Sequence, residues 1–591
     1  STIGAGSVLL PFGGRYQLTP VEAMAAKLPV LDGDTTTGTL MSYGYNPEFG
    51  KWSPFHGGVY AIVEAVAKVV AAGGDHQKIR LTLQEYFEKL GANSYAWGKP
   101  FAALLGAYYT QLKLGVAAIG GKDSMSGTFK DLTVPPTLVA FALAAVDVRQ
   151  VISPEFKHIG SQVILVPLKR DHQELPDFEA LTTNYRRIHE LIKAGRVSAA
   201  HSVRTGGLAE AITKMCFGNQ IGFVFAGQQP LERLFAPDYG SLLLELSAAE
   251  DPSLVGEGFE YQVLGHTQAE PAILVNGVNI DLKAALTVWT GPLEPIFPTT
   301  VSSIGEAPER FRYEAPKRIK PLPHLAKPRV LIPVFPGTNC EYDSAKAFKR
   351  AGAEVSTLVF RNLTAADIES TIKTMVKAIC NSQIIMLPGG FSAGDEPDGS
   401  GKFIATAFRN PYIKEAVTQL LNERDGLMLG ICNGFQALIK LGLVPFGEIR
   451  ETAASDPTLT YNSIGRHVSC MVHTQIVSNL SPWFANVKLG DIHTIAVSHG
   501  EGRFVADRAV VTNLAKHGQI ATQYVDLTGK ATNDIPYNPN GSVEAIEGIT
   551  SPDGRVLGKM GHSERIGPNV AKNIPGEKDQ QIFEAGVAYF G

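Results

Sequence analysis

Cysteine is scarce in this sequence, and its scarcity excludes two classes of protein. Five cysteines among 591 residues are too few for a disulfide framework, and none forms the C-x-x-C pair typical of structural zinc. No apolar run approaches the ~20 residues that cross a membrane. The start, STIGAGSVLLPFGG, also lacks the layout of a signal peptide. These absences predict a cytoplasmic protein.

An excess of charge of one sign is also missing, since the net charge is only -4. Such a balance gives no reason to expect binding to nucleic acid or to a membrane. The length indicates about three or four domains. Because the sequence has no initiator Met and opens directly into a structured-looking segment, we expect it to be part of a longer polypeptide.

One cysteine, Cys432, stands within GLMLGICNGFQALIKLG. The pattern predicts a buried strand, a tight turn and a helix over 435–441, which is the arrangement of a nucleophile elbow. The turn needs small neighbours, and Gly430 and Gly434 provide them. A sulfur at a helix N-terminus is expected to be exposed and to ionise readily to the attacking thiolate. The alternative is a buried core cysteine.

The organisation of the chain follows from a proline-rich linker at 303–328. Beyond it, over 329–591, short apolar strands alternate with helices, which predicts a doubly wound parallel sheet with its active site at the strands' C-terminal ends. Residues 1–150 and 151–302 are predicted to be two α+β domains. The predicted fold class is therefore multidomain, α+β followed by α/β.

A thiol nucleophile needs a base and a group that orients this base. The segment GKMGHSERIG supplies His562 as the base and Glu564 as the group that holds its tautomer. His467 and His499 are competing histidines, in GRHVSC and SHGEGRF. The H-x-E pair favours His562.

Backbone N–H groups for the developing oxyanion are available from the loop PGGFSAGD, at Gly390 and Phe391, and from Asn433 just after the cysteine. Together, G-x-C-x-G-x-Q, the P-G-G-F-S loop and the late H-x-E resemble a class I, triad-type glutamine amidotransferase domain. The resemblance implies a γ-glutamyl thioester on the cysteine, release of ammonia, and contact of glutamine with Gln436. Ser563 stands where the family often has proline, and we expect it to take no part in the chemistry.

Weaker patterns occur in the first 302 residues. GGKDSMSGT is predicted to be a loop that holds phosphate or substrate, or that merely packs. Its candidate residues are Lys122, Asp123 and Ser124. On a helix predicted from about Val59 to Ala72, Glu64 and Lys68 lie one turn apart. They form either an ion pair or a site in which Glu64 faces a cation or phosphate.

These patterns, together with VFPGTNCEYDSAKAF and YNPNGS, resemble the family of large phosphoribosylformylglycinamidine synthases of purine biosynthesis. The resemblance implies conversion of formylglycinamide ribonucleotide to the amidine with ATP, Mg²⁺ and ammonia from glutamine. It also implies that 1–302 holds aminoimidazole-ribonucleotide-synthetase-like domains, the second of two related halves. The expected partner is the upstream synthetase half of the same polypeptide.

The chain departs from that family at one place. The family often has a nucleotide–Mg²⁺ site here, and Glu22, Glu64, Lys68 and Ser202 occupy the corresponding positions. Because lysine and serine cannot reproduce anionic Mg²⁺ ligation, we predict a degenerate auxiliary site. In it Lys68 pairs with Glu64 where the metal would be, and Glu64 is at most the one remaining metal ligand.

Two other readings of the whole chain stay open at this point. One is a stand-alone cysteine hydrolase built on the same sheet. In the other, residues 1–302 are a non-catalytic scaffold that docks the glutaminase and closes an ammonia path.

Overall fold

The computed structural model describes residues 4–247, 260–301, 306–316, 325–392 and 400–591, and its strands form three large sheets. We call them the N-terminal, middle and C-terminal sheets. They fall within the predicted ranges 1–150, 151–302 and 329–591, whose boundaries stay predictions. Residues 302–305 and 317–324 of the predicted linker lie outside the described residues. Among the described helices, none has the length and apolar character needed to cross a membrane.

The N-terminal sheet has five strands. Their spatial order is Met24–Lys27, Thr37–Gly44, Thr137–Asp147, Arg80–Tyr86 and Ala117–Ser124. One face is covered by the buried helix Pro54–Ala71, flanked by Pro47–Trp52 and Ser94–Leu114. The covering helix begins earlier than predicted because Ser53 caps it, accepting a hydrogen bond from the His56 N–H, and Pro54 fits its first turn.

The opposite face of this sheet, which we call the open face, is exposed and apolar. Met41 lies directly across from Leu143, and Tyr43 across from Phe141. These side chains are 37 to 58% exposed. Ile119 is also exposed, on the edge strand Ala117–Ser124, which the strand Arg80–Tyr86 separates from these residues. Large apolar side chains exposed in such numbers are typical of a docking surface.

The prediction of a loop at GGKDSMSGT was wrong for its first half. Gly120 to Ser124 continue the edge strand Ala117–Ser124, which pairs in parallel with Arg80–Tyr86. Glycine serves here for close approach, because a Cβ on Gly121 would lie 2.4 Å from the Leu83 carbonyl oxygen.

The middle sheet has seven strands. Their spatial order is Val197–Ser202, Leu242–Leu246, Gln162–Val166, Gln262–Gln268, Gly222–Phe225, Ala272–Val275 and Val278–Asp281. Its helices are Phe178–Lys193, Gly207–Phe217, Leu231–Phe235 and Leu282–Thr290. The predicted hairpin at Asn276 and Gly277 is present, with φ of 52° and 79°, as a two-residue turn of the primed type requires.

The C-terminal sheet has nine strands. Five are parallel, in the order Glu354–Val359, Arg329–Val334, Ile384–Leu387, Leu427–Ile431 and Val556–Lys559. Four antiparallel strands follow: Ile546–Thr550, Ile520–Val525, Val468–Ile476 and Ile492–His499. Its helices are Glu341–Arg350, Ala365–Asn381, Lys402–Phe408, Pro411–Asn422, Asn433–Leu441, Leu443–Phe446, Arg508–Lys516 and Ile582–Ala588. The predicted mixed α/β class is confirmed, and the antiparallel strands extend the predicted parallel sheet.

Short elements complete the described fold. Three strand pairs are Phe12–Gly13 with Thr19–Pro20, Thr128–Phe129 with Leu132–Thr133, and Thr458–Tyr461 with Glu501–Val505. Single-turn helices are His76–Lys78, Val148–Gln150, Gly291–Leu293, Pro482–Phe484 and Val543–Ala545.

The beginning of the chain packs against the C-terminal sheet's domain. Gln17 exchanges two hydrogen bonds of 2.8 Å with the backbone of Met471. Asn573 does the same with the backbone of Leu10, at 2.8 and 2.9 Å. Such paired contacts fix the N-terminal domain relative to the candidate site described next.

Candidate active site

Cys432 occupies a strained turn between a buried strand and a helix. The strand Leu427–Ile431 is buried at every position, and the helix Asn433–Leu441 follows at once, ending at Gly442 in the left-handed conformation. Cys432 itself has φ 54° and ψ -107°, a conformation that L-residues rarely adopt. This is the geometry of a nucleophile elbow.

Small residues around the cysteine are a steric requirement. A Cβ on Gly434 would lie 1.9 Å from the carbonyl oxygen of Leu387 in the neighbouring strand, and one on Gly430 would lie 2.7 Å from the Gly434 carbonyl oxygen. The helix begins two residues earlier than predicted, since it starts directly after the turn.

His562 and Glu564 form a buried hydrogen-bonded pair, with 2.6 Å between His562 Nδ1 and Glu564 Oε1. The pair follows the strand Val556–Lys559, and the backbone N–H of His562 donates to the Ala496 carbonyl at 2.8 Å. Burial and the nearby Arg565 lower the pKa of His562, and Glu564 acts in the opposite direction. A lowered pKa keeps the ring neutral near pH 7, the state that can accept a proton.

The turn that carries His562 is supported by a second buried ion pair. Lys559 Nζ lies 3.2 Å from Glu547 and donates to the Gly561 carbonyl and to Ser563 Oγ at 2.8 and 3.0 Å. Ser563 in turn donates to Gln580. Ser563 therefore takes part in holding the turn, away from the His562 ring.

The loop at 388–392 brings the cysteine and the histidine together. A Cβ on Gly389 would lie 2.7 Å from His562 Cε1 and 3.5 Å from Cys432 Cβ. Both side chains thus border Gly389, and only a glycine leaves room for the imidazole.

Two neighbours of this group were not predicted as site residues. Cys340 Sγ lies 3.9 Å from His562 Nδ1 and accepts a hydrogen bond from Arg565 Nη2 at 3.1 Å. Burial, with Glu564 nearby, raises the pKa of the Cys340 thiol to about 12. The sequence held a signal for each: Cys340 follows the strand-end loop PGTN, and Arg565 adjoins the H-x-E pair.

The expectation of an exposed, readily ionised Cys432 was wrong. The side chain is 5% exposed, and its Sγ contacts the Ser498 carbonyl oxygen at 3.7 Å. Burial raises its pKa to about 12; nearby Cys340 and Glu564 add to the rise, and Arg565 and the Asn433 N–H oppose it. Loss of hydration therefore outweighs the helix N-terminus, and the resting group is a thiol.

The nominated oxyanion donors differ in how their backbone is used. Phe391 donates its N–H to the Gly337 carbonyl at 2.7 Å, and this bond helps to hold the loop. Gly390 and Thr338 form an isolated antiparallel bridge, whose two hydrogen bonds are donated by the N–H groups of Asn339 and Phe391. The Gly390 N–H takes no part in these two bonds. The Asn433 N–H acts on the Cys432 sulfur by lowering the pKa of this thiol.

Gln436 lies in the first turns of the elbow helix and is buried. Its amide accepts from Asn433 Nδ2 at 2.8 Å and donates to the Glu501 carbonyl at 2.5 Å. Its predicted contact with glutamine stays a prediction, and it would require an exchange of these bonds.

The competing histidines are bound to other side chains. His499 Nδ1 is bound to Asn462 Oδ1 at 3.0 Å, and burial lowers its pKa to about 3. His467 Nε2 is bound to Ser498 Oγ at 3.0 Å. In the described residues, the histidine with a carboxylate partner beside Cys432 is His562.

The residues predicted for the degenerate site meet between the N-terminal and middle sheets. Lys68 Nζ lies 2.6 Å from Glu64, with both side chains buried, and donates to the Tyr43 carbonyl at 2.8 Å. Glu22 accepts from Ser202, through its N–H at 2.9 Å and through its hydroxyl. Arg204 lies 3.3 Å and His201 3.5 Å from Glu22; both were missed by sequence reasoning, although they flank Ser202 in HSVRT.

This cluster does not fit Mg²⁺. Alone, burial would raise the pKa of Glu22, but His201, Arg204, Lys68 and the Ser202 hydrogen bond lower it to about 2. The carboxylates are thus already neutralised by protein cations, and a hard cation would have to displace them.

Lys122, Asp123 and Ser124 lie apart from this cluster on the exposed edge strand. Lys122 Nζ donates to the Asp123 carbonyl at 3.0 Å, and Ser124 Oγ lies 2.8 Å from Ser126 Oγ. Lys122 and Asp123 border an open, mainly apolar hollow of about 450 Å³ against the helix Ser94–Leu114. Their role as a phosphate or substrate site stays a prediction.

Comparison with known proteins defines the class first. Residues 327–590 match the family model of the CobB/CobQ-like glutamine amidotransferase domain. The phosphoribosylformylglycinamidine synthase subunit PurQ of Methanococcus maripaludis is 33% identical in an alignment of 283 positions, which covers 44% of this chain and 97% of that protein. The chain therefore belongs, through this region, to the PurQ family of glutamine amidotransferases.

The likeness continues toward the N-terminus. A probable phosphoribosylformylglycinamidine synthase of Arabidopsis thaliana is 25% identical over 564 residues, covering 86% of this chain and 38% of that protein.

Among solved structures, PurLQS from Thermotoga maritima is similar to 45% of this chain and to 100% of the compared chain, at 28% identity and a TM-score of 0.33.

Proposed function

We propose that this chain releases ammonia from glutamine for the ATP-driven conversion of formylglycinamide ribonucleotide to formylglycinamidine ribonucleotide. The membership in the PurQ family and the likeness to the plant synthase support this reaction. The observation that carries the glutaminase step is the buried His562–Glu564 pair beside a cysteine in a strained elbow.

The chemistry follows from the hydrogen bond at Nδ1. Because His562 Nδ1 donates to Glu564, its Nε2 is the atom that takes the proton from the Cys432 thiol as sulfur attacks the amide carbon of glutamine. The Asn433 and Gly390 N–H groups stabilise the oxyanion. His562 returns the proton to the leaving nitrogen, ammonia departs, and water then hydrolyses the thioester to glutamate.

The experiment measures glutamate and ammonia released from glutamine by this chain alone and with the upstream synthetase half, ATP and formylglycinamide ribonucleotide. We expect release to rise when the partner and its substrates are added, and Cys432→Ala to abolish it. Release that ignores the partner would favour the stand-alone hydrolase.

For the synthetase side, we propose that residues 1–302 of this chain act as a scaffold whose own nucleotide site is degenerate. The Lys68–Glu64 pair and the Arg204–Glu22 pair support this, because neither leaves a carboxylate available to Mg²⁺. ATP and Mg²⁺ would then act in the upstream half. Saturable ATP or ADP binding by this chain would contradict the proposal.

We propose the open face as the surface that receives the upstream half. It is apolar and uncovered in the described structure, and the plant relative is more than twice as long as its matched part. Burial of such a face is worth roughly 1.5–3 kcal/mol for each large side chain.

A further inference from the structure

Three metal-ligand side chains meet beside Cys432. Cys340, His562 and Glu564 each offer one ligand atom, these atoms lie within 4.8 Å of one another, and all three residues are buried. Cys340 comes from the loop after Arg329–Val334, and the other two follow Val556–Lys559. We propose that Cys340, His562 and Glu564 bind a thiophilic divalent cation of the zinc class, and that this cation reversibly inhibits the glutaminase.

The donor set selects the kind of metal. Thiolate, imidazole and carboxylate are ligands of Zn²⁺, at bond lengths of about 2.0–2.3 Å in a tetrahedron, whereas Mg²⁺ takes oxygen ligands. Cys340 Sγ is 3.9 Å and Glu564 Oε1 2.6 Å from His562 Nδ1. A tetrahedral site spaces its ligands by roughly 3.4 Å. A tetrahedral metal site therefore needs only a slightly longer distance between His562 and Glu564 and a slightly shorter distance between Cys340 and His562.

An unsatisfied atom supplies an independent reason for a ligand here. Glu564 Oε2 is buried, and within the described part of the chain it has no hydrogen-bond partner. A buried polar atom without a partner costs free energy, which a bound cation on the carboxylate would offset. Glu564 is only 2% exposed, so bulk water does not serve that oxygen.

Arg565 is the charge that opposes a cation. Its Nη2 donates to Cys340 Sγ at 3.1 Å, and its Nε lies 3.9 Å from Glu564 Oε1. Nε and Nη1 have no hydrogen-bond partner among the described residues. The guanidinium is therefore held mainly by its contacts with Cys340 and Glu564. A cation must replace it on both, which makes the site reversible.

Inhibition follows from the atom that the metal occupies. When Nδ1 binds the cation, the single ring proton moves from Nδ1 to Nε2, so the ring stays neutral and Nε2 has no lone pair with which to accept the Cys432 proton. Cys340 releases its thiol proton to solvent as its sulfur binds the cation. This consequence depends on the proposed glutaminase function, but binding of the cation does not.

The test uses the full chain with Zn²⁺ for inhibition and Co²⁺ as a spectroscopic probe. Activity of the parent protein should fall with Zn²⁺ but not with the same concentration of Mg²⁺. Cys340→Ser and Cys340→Ala, each compared with its own metal-free activity, should need a roughly tenfold or higher Zn²⁺ concentration. Cys380→Ala, on an exposed cysteine, is the matched control and should behave as the parent.

The Co²⁺ measurement distinguishes binding at Cys340, His562 and Glu564 from direct binding of the metal to the Cys432 sulfur. The inactive Cys432→Ala variant should bind one Co²⁺ and show the near-ultraviolet thiolate-to-cobalt band, and both Cys340 variants should lack it. A band that persists in the Cys340 variants, or disappears in Cys432→Ala, would overturn the proposal. A band in Cys432→Ala with no glutaminase activity in the parent would overturn only the proposed function.

Discussion

The proposed reactivity of Cys432 depends on its position, because its thiol is no more acidic than those of Cys340 and Cys470. Burial raises the pKa of Cys432, Cys340 and Cys470 alike to about 12. What sets Cys432 apart is the strained elbow and the imidazole across Gly389. Under the proposed function, the proton therefore moves to His562 as the bond to carbon forms.

Selective labelling follows from that position. The glutamine analogue 6-diazo-5-oxo-norleucine should modify Cys432, because the proposed glutamine site presents this sulfur to its ligand. Peptide mass mapping checks the result. The cysteines expected to remain unmodified are Cys216, Cys340, Cys380 and Cys470. Equal modification of the exposed Cys380 would indicate chemical reactivity without a binding site.

Orientation of the imidazole should matter as much as its presence. Glu564→Gln keeps the side-chain size but removes the charge that fixes the Nδ1–H tautomer, so kcat for glutamine hydrolysis should fall about 100-fold or more. Circular dichroism should stay unchanged, and Glu415→Gln on an exposed helix serves as the control. Full activity in Glu564→Gln would show that Glu564 does not orient the base.

At the scale of elements, the elbow tolerates no side chain at its glycines. Gly434→Ala places a methyl group 1.9 Å from the Leu387 carbonyl oxygen, and such overpacking costs typically 1–3 kcal/mol or more. We expect a lower thermal midpoint and loss of glutaminase activity.

Gly98 provides the matched control for that change. It lies in the helix Ser94–Leu114, where an added Cβ meets nothing within 4 Å, so Gly98→Ala should raise stability by up to about 1 kcal/mol. Equal thermal midpoints for the two alanine variants would contradict the steric account of the elbow.

The cluster between helix Pro54–Ala71 and strand Val197–Ser202 should give an acid-dependent stability. The pKa of Glu22 falls from its ordinary 4.5 to about 2 on folding, so its contribution is complete above 4.5 and is lost as pH falls toward about 2. The size is about 3 kcal/mol. Because burial lowers the pKa of His201, the lasting positive partners are Arg204 and Lys68.

Unfolding between pH 5 and 2, followed for the parent and for Glu22→Gln, checks this expectation. The parent should lose more stability than the variant across that interval, since only the parent carries the depressed carboxyl. Glu48→Gln, on an exposed helix, controls for general loss of charge. Parallel curves for the parent and Glu22→Gln would refute the assignment.

Local patterns predicted most of these elements, and contacts between distant segments account for the errors. The elbow could be predicted from Gly430, Gly434 and Gly442, because the geometry of a turn depends on residues close together in the sequence. The burial of Cys432 could not be predicted from the local pattern, because it depends on strand Ile492–His499 and on the loop at Gly389.

The edge strand was missed for a similar reason. GGKDSMSGT resembles a loop, and only the pairing with Arg80–Tyr86 makes Gly120 to Ser124 a strand. Arg565 and Cys340 were missed because they meet across 225 positions.

At the scale of the whole molecule, the open face gives the sharpest test of how the chain assembles. Ile119→Lys with Leu143→Lys places two charges on a surface that would be dehydrated in the complex, so affinity for a separately produced upstream half should fall at least about tenfold, or 1.4 kcal/mol. Leu363→Lys, at a side chain 91% exposed on the C-terminal domain, should bind as the parent does. Calorimetry measures both. Since none of these three substitutions is at a proposed site residue, basal glutaminase activity should persist. Unchanged binding by the double variant would place the partner elsewhere on the molecule.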